Sequence, residues 1–496
     1  MNLTPKPMSN NNQKTACIIG GGMSGLFTGA LLAKNGYKVT VLEKNHIIGG
    51  GLQSFRRGDA VFNTGMQAFA GYGKQFLLGH LFTYLGVDNN LLNIVPADEK
   101  AQEIVWIDKH HCYHLPRGKR AYEDYLISQF PHEKDGIRQL VDNIFKIGNC
   151  FDYIAMRKPQ QHAEAVKYHI TPALTFIREF IFDENLLKIF EYASPHLGFN
   201  LSVVSAAEFG MILSLYIEGG FRIAGGMVAM ADALKKVICK NGGMVISDTE
   251  VSHLVFDERH LEYIETKNAQ RYCSDIYIGA IPPLNMINMT ESGGIRIFRD
   301  GTQSRVKNYT NDSSCFLVHI KLKADKVHYR NSVIFLPSIF EDDRLPKYMA
   351  FLTPPSINQN EWAETAEISC AVHYDLFSKW ENTFTQNRGK EYENKKNEIA
   401  IKLITHISAF YPEIIDSIEQ IYVATPLTIR DYYANPLGAT YAQQGVFIPI
   451  KTQIDNLFMS GQSIQYQGLY GVAATSVYVA ETILGRSLIE EIAAAK

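Results

Sequence analysis

The run TACIIGGGMSGLFTGALLAKNGYKVTVLEKNHIIGGG, residues 15–51, constrains this chain more than any other stretch. Residues 16–19 are a short apolar strand. Gly20, Gly22 and Gly25 follow in a G-x-G-x-x-G spacing, and Leu26, Ala30 and Ala33 then recur at a helical period. The three glycines serve different ends. Gly20 turns the chain, Gly22 admits backbone close to a pyrophosphate, and Gly25 lets the helix pack on the sheet. The phosphates belong at the helix amino terminus, beside Met23 and Ser24, where the first N–H groups lack partners inside the helix. A second strand, residues 37–42, ends in Glu43, at the distance expected of a ribose-binding acid, with Lys44 next to it. A glycine triplet alone often marks only a flexible turn. Between two strands, ahead of a helix and with an acid at the end of the unit, it predicts a dinucleotide site.

The rest of the chain sets bounds on that site. Its 496 residues allow two or three domains, and 46% apolar with 20% charged residues is the composition of an ordinary folded protein. A net charge of −3 gives no basic excess, so nucleic acid is not an expected partner. Seven cysteines stand singly with no C-x-x-C, which predicts a reducing, cytoplasmic setting and no disulfide relay. Electrons would then travel by the cofactor alone. The uncharged stretch 15–33 reaches the length of a membrane span, but its glycine spacing accounts for it better. His110, His111, Cys112 and His114 lie on one short strand whose side chains alternate in direction, so no metal site is expected there.

Past Glu43 come Gly49, Gly50 and Gly51, then an alternating hairpin turning at Gly58 and ending in Phe62-Asn63-Thr64-Gly65. In this order the pattern resembles the amino-terminal region of the flavin-dependent amine oxidase superfamily. Its nearest branch holds the phytoene desaturases, carotenoid isomerases and retinol saturases. That branch commonly has Asp where this chain has Asn63, and often His where it has Gln67. A His beside the flavin can act as an acid, and a Gln cannot.

Two further stretches are similar to the same branch. Gly225 and Gly226 open a helix, and a strand then leads to Val251. In the family the glycines face the flavin, and the residue at Val251 holds adenine by its backbone. Near the carboxyl terminus a strand, Gly461-Gln462 and a loop precede a helix from about Leu469. In the family such a helix points its amino terminus, here at Gly471, at the flavin ring, with Gly468 in the loop. The loop itself, Gln465, Tyr466, Gln467, Gly468, Leu469 and Tyr470, departs from the desaturase pattern and suggests an altered substrate. The stretch TPLTIRDYYANPLGATY, residues 425–441, matches the carotenoid isomerase and retinol saturase branch; locally Thr425 caps a helix whose first turn holds Pro426.

The resemblance implies an α/β fold: a discontinuous Rossmann-like FAD-binding domain with a mixed α+β substrate domain. The expected parts are a flexible arm at 1–14, FAD-binding segments at 15–70, 218–283 and 447–496, a helical substrate-covering region at 71–217 and a mixed sheet at 284–446. Within the helical part, residues 206–221, AAEFGMILSLYIEGGF, are either a core helix or a tunnel wall, core being preferred. The implied activity is FAD-dependent saturation, desaturation or isomerisation of carbon–carbon bonds in a small lipophilic, polyene-like substrate. Tyr470 and Tyr432 are the candidates for a proton donor or positioning group. No second G-x-G-x-x-G follows a strand, so any NAD(P)H or other electron partner would use the substrate face. Peripheral membrane contact on the cytoplasmic side is expected of an enzyme with such a substrate. Two rivals share the fold: an amine oxidase, for which the carboxyl-terminal tyrosines would form an aromatic cage, and a non-enzymatic binder of lipidated partners.

Overall fold

The computed structural model describes residues 13–495 except 66, 89–91, 154, 159, 161, 163–164, 194–199, 292–293, 309–312, 339, 343, 346, 359–360, 442–447 and 465. The expected arm, but for its last two residues, and Gln465 lie outside the described residues.

Thr15–Ile19 is the middle strand of a five-stranded sheet ordered Met244–Ile246, Lys38–Leu42, Thr15–Ile19, Ile276–Gly279 and Leu457–Met459, every pair parallel. Strands from widely separated stretches therefore build one sheet. Its two faces are both covered, which is why these strands are largely apolar rather than strictly alternating with polar residues. Ile18, Val39, Val41 and Ile278 pack with the helices Met23–Lys34, Val228–Lys240 and Gly468–Leu484. Cys17, Ile19 and Tyr277 pack instead with Leu254, Leu261 and Ile264 of a small antiparallel sheet, Val251–Asp257, His260–Thr266 and Arg271–Tyr272.

A second sheet has seven strands, ordered Ile418–Ala424, Ser313–Leu322, Thr365–His373, Tyr348–Leu352, Val333–Pro337, Glu103–Trp106 and Cys112–Leu115. All its pairs are antiparallel except Val333–Pro337 with Glu103–Trp106. The last two strands come from the stretch read as a helical cover, so that stretch also completes the mixed sheet. One face of the sheet, with Phe316, Val318, Ile320 and Ile368, packs on Leu403 and Ile407 of helix Lys390–Ser408. Alternate residues, among them Cys315, Leu317, Phe335 and Ala350, face a large cavity.

Helix Ala206–Glu218 is core over most of its length, with Phe209, Met211, Leu213 and Ile217 buried. Only Tyr216 of this helix reaches the cavity. The helix is therefore no membrane-facing surface. Among the described residues no helix is long and apolar enough to cross a membrane, and no group of His, Cys, Asp and Glu is placed to hold a metal ion.

Candidate functional site

The carboxyl ends of the parallel strands carry Gly20, Glu43, Ala280 and Ser460, and all four line one cavity of about 1270 Å³. In a doubly wound sheet this edge is where ligands bind. Gly20 takes a left-handed φ of +107° and its N–H donates to the Leu42 carbonyl (2.8 Å), which turns the chain from strand into helix. Helix Met23–Lys34 then starts with no side-chain cap and no acidic residue in its first turn. Its unmatched N–H groups and the positive end of its dipole are left for an anion. A Cβ on Gly22 would meet nothing closer than the Gly50 Cα at 3.9 Å, so the approach over this turn is open. Gly25 does not line the cavity; a Cβ there would collide with the Gly20 carbonyl oxygen, in keeping with a packing role.

Glu43 is buried at the end of its strand. Its Oε2 accepts from the Gly21 N–H and its Oε1 from the Asn45 N–H, each at 2.8 Å. Burial raises its pKa above the usual carboxylate range, a shift that those N–H groups and Lys44 offset only in part. Four lone-pair positions on a carboxylate leave room for ribose hydroxyls beyond these two bonds. Thr249, Glu250 and Val251 line the same end, where the Thr249 N–H donates to the Glu43 carbonyl (2.8 Å). Lys44 lines the cavity too, but its ammonium donates to the Asp431 carbonyl (2.9 Å). Ser24 is tied to Ser460 by a 2.6 Å hydroxyl pair.

Beyond the turn the wall continues through Gly49, Gly50 and Gly51 to Gly461, Gln462, Gly468 and Leu469. The chamber past them is framed by Leu317, Phe335, Met349, Tyr216, Tyr433 and Tyr441. The whole cavity exceeds the roughly 300–1,000 Å³ of a pocket for one drug-sized ligand, which leaves room beyond a single small molecule. Burial pushes the Tyr441 phenol up to about 12 and raises that of Tyr433 as well, so both are neutral hydroxyls at physiological pH.

Four residues that the sequence marks as ligands or catalysts lie elsewhere. Tyr470 is in the hydrophobic core: its ring covers Gly71 and its hydroxyl accepts from the Leu77 N–H (3.3 Å). Gly471 is inside helix Gly468–Leu484 rather than at its start, and a Cβ there would lie 2.6 Å from the Tyr466 Cβ. Neither Gly225 nor Gly226 is on the cavity wall: a Cβ on Gly225 would collide with the Ile357 side chain, and one on Gly226, under the hairpin, would lie 2.7 Å from the Ser54 Oγ. The helix they precede begins only at Val228. Of the two tyrosine candidates only Tyr432 lines the cavity, at its rim and 44% exposed.

Sequence reasoning overlooks Tyr433, which packs on Gly51 and Gly65 and donates to the Thr64 carbonyl (3.2 Å). The glycines at 51 and 65 are the available signal, since each leaves space that an aromatic ring must fill.

Comparison with known proteins agrees with this geometry. Residues 18–85 match the family model described as an NAD(P)-binding Rossmann-like domain. The chain is 22% identical to all-trans-retinol 13,14-reductase of Danio rerio, over 95% of this chain and 86% of that protein. It is 25% identical to the chloroplastic prolycopene isomerase 1 of an Oncidium hybrid cultivar, over 96% of this chain and 84% of the relative. In fold it is similar to a triple mutant of putrescine oxidase, with a TM-score of 0.63 at 13% identity over 96% of this chain and 99% of that one. The reductase and the isomerase are of the branch that the sequence motifs resemble; the likeness to putrescine oxidase is one of fold.

Proposed function

We propose that this chain is an FAD-dependent oxidoreductase acting on carbon–carbon double bonds of a lipophilic polyene, by saturation, desaturation or isomerisation. The observation that carries the reading is the single cavity that runs from an uncapped helix amino terminus and a buried acid into a chamber walled by aromatic and aliphatic side chains. Whole-length similarity to a retinol reductase and a prolycopene isomerase supports the substrate class. Gly20, Gly22, Met23 and Ser24 would take the pyrophosphate, Glu43 the ribose, Val251 the adenine, and Gly49 to Gly51 with Gly461, Gln462, Gly468 and Leu469 the ring system. Bound there, FAD supplies hydride chemistry at its isoalloxazine ring. The chain's own contribution is to hold an elongated apolar molecule beside that ring and keep water away. Tyr432, at the wet rim, is the candidate for exchanging a proton with solvent or positioning the substrate. An amine oxidase reading would have to draw its aromatic cage from Tyr432, Tyr433 and Tyr441, because Tyr470 lies in the core and Tyr466 packs on Phe151 instead of the cavity wall.

The test is the visible spectrum of the purified protein under anaerobic conditions, before and after NADH, NADPH and dithionite, followed by product analysis with all-trans-retinol and prolycopene. A yellow protein that changes either polyene is the expected result. A colourless protein that will not take up FAD would overturn the reading. Bleaching by a nicotinamide would identify the electron donor and favour saturation.

Membrane docking is part of the same reading. Ile170, Val166 and Val203 are exposed by 79%, 62% and 63%, and Val203 with Leu174 and Leu201 also lines the cavity opening. The segments are neighbours, since the Ala173 N–H donates to the Val204 carbonyl and the Leu174 N–H to the Leu201 carbonyl, each at 2.8 Å. Burying side chains of this size in a lipid interface is worth about 1.5–3 kcal/mol each when complete. The double variant I170D/V203D is therefore expected to float with liposomes at least about tenfold less than the parent protein while keeping its FAD. Parent protein that stays wholly in the soluble fraction would refute docking.

A further inference from the structure

Two residues that line the large cavity carry a buried side-chain polar atom without a partner among the described residues: the amide nitrogen of Gln67 and the hydroxyl of Thr440. Gln67 is the more informative, because the network behind it dictates which of its two amide atoms is left unpartnered. Gln67 and Asn63 are both buried, at 4% and 6% exposure. The Met227 backbone N–H donates to the Asn63 Oδ1 (2.9 Å), and the Ser54 hydroxyl donates to the same atom (3.0 Å). A backbone N–H can only donate, so the Asn63 carbonyl must point toward Met227. The Asn63 amide nitrogen is thereby turned toward Gln67 and donates to its Oε1 (3.2 Å). With the Gln67 carbonyl engaged by Asn63, its buried amide nitrogen is the atom left without a partner, in a residue that lines the cavity. The Asn63 backbone is itself held, its N–H donating to the Glu367 Oε1 (3.2 Å). The left-handed glycines Gly225 and Gly226 run directly into Met227, and a Cβ on Gly226 would collide with Ser54, so the close turn is what brings that N–H to Asn63.

A buried donor without an acceptor costs stability unless a ligand completes it. We propose that Gln67 donates a hydrogen bond to an oxygen at the polar end of the substrate, an aldehyde, ketone, carboxylate or alcohol on an otherwise apolar polyene, and that Asn63 sets this polarity. The proposal rests on the chamber being the lipophilic substrate site. It narrows the substrate class from polyenes in general to oxygenated ones. It also assigns a consequence to Asn63. An Asp at this position would still accept from Met227 and Ser54 but could accept from Gln67 as well, turning the glutamine over and presenting its carbonyl to the chamber.

The test is a fluorescence titration of the FAD-loaded protein with three probes of one carbon skeleton: all-trans-retinal, all-trans-retinol and the parent hydrocarbon without oxygen. The parent protein is expected to bind retinal and retinol about five- to tenfold more tightly than the hydrocarbon, the worth of one neutral hydrogen bond. Q67M should lose that preference and keep its affinity for the hydrocarbon. N63D should lose affinity for retinal, which can only accept, and hold retinol, which can also donate. Q67M requires no reversal of the network, so it decides the matter even if N63D does not fold. Binding with the same probe ratios in the parent and Q67M would overturn the proposal alone. A Q67M variant whose flavin absorbance and FAD affinity shift while its probe ratios do not would overturn it in favour of a cofactor contact. If no probe binds to protein that carries FAD, the lipophilic reading falls and the proposal falls with it.

Discussion

Gly22→Ala is expected to give a folded protein that has lost FAD, whereas Gly25→Ala is expected to give little folded protein. The two glycines stand three residues apart in one motif, and their surroundings differ completely. Gly22 has φ −72° and ψ 175°, extended backbone that alanine adopts without strain, and its Cβ would meet only the Gly50 Cα at 3.9 Å. The protein alone has no objection to that methyl group. A pyrophosphate brought against the turn would, and losing two hydrogen bonds to a charged ligand at about 1.5–3 kcal/mol each weakens FAD binding by at least about 100-fold. Gly25 is inside the helix, where alanine would gain about 1 kcal/mol in propensity. Against that, its Cβ would drive into the Gly20 carbonyl oxygen and press on Ile18 and Ala280 at 3.2 and 3.3 Å. Neither the strand nor the turn can yield without parting from its neighbours, and overpacking of this kind costs about 3 kcal/mol or more, a large part of a typical stability. Urea melts of the apoproteins and FAD titrations separate the two effects. Gly22→Ala binding FAD as the parent does would remove the phosphates from this turn.

That contrast also marks what a sequence reveals. The nucleotide cradle is legible because its chemistry is local: Gly20, Gly22, Gly25 and Glu43 all belong to one strand–helix–strand unit, and most of their geometry follows from chain connectivity. Gly225 and Gly226 read as ligand-facing because a glycine pair ahead of a helix looks the same whether it admits a phosphate or a hairpin. What distinguishes the cases is Ser54, far away in the chain, lying against Gly226. The pairing of Glu103–Trp106 with Val333–Pro337 is of the same kind. Asn63 and Gln67 do stand out as departures from the family pattern. Their direction, however, depends on the Met227 N–H, 164 residues downstream. Tyr470 is misread for another reason. Its helix is buried at nearly every position of its first three turns, with Leu469, Ala473, Ala474, Val477 and Ala480 among them, so periodicity offers no face from which to tell core from cavity.

Tyr470→Phe is expected to turn over substrate at the parent rate, and Tyr470→Ala to lose about 3–5 kcal/mol of stability. The ring fills the space over Gly71, whose left-handed φ of +71° brings backbone against it, and it packs within the core that joins helix Gly468–Leu484 to helix Leu77–Leu85. Removing the ring leaves a cavity that the glycine backbone beneath it cannot fill. The hydroxyl accepts a single long bond from the Leu77 N–H at 3.3 Å, so Tyr470→Phe forfeits about 1 kcal/mol and leaves the packing in place. A proton donor to the substrate would behave in the opposite way: deleting its hydroxyl would slow the chemical step by about 10²–10⁴-fold with no need for a change in stability. Single-turnover rates of the FAD-loaded proteins, with denaturant melts of the same samples, set the two patterns against each other. A Tyr470→Phe variant with parental stability and a rate lowered a hundredfold would return the tyrosine to the reaction, and would require helix Gly468–Leu484 to turn its first turn toward the cavity when the substrate is bound.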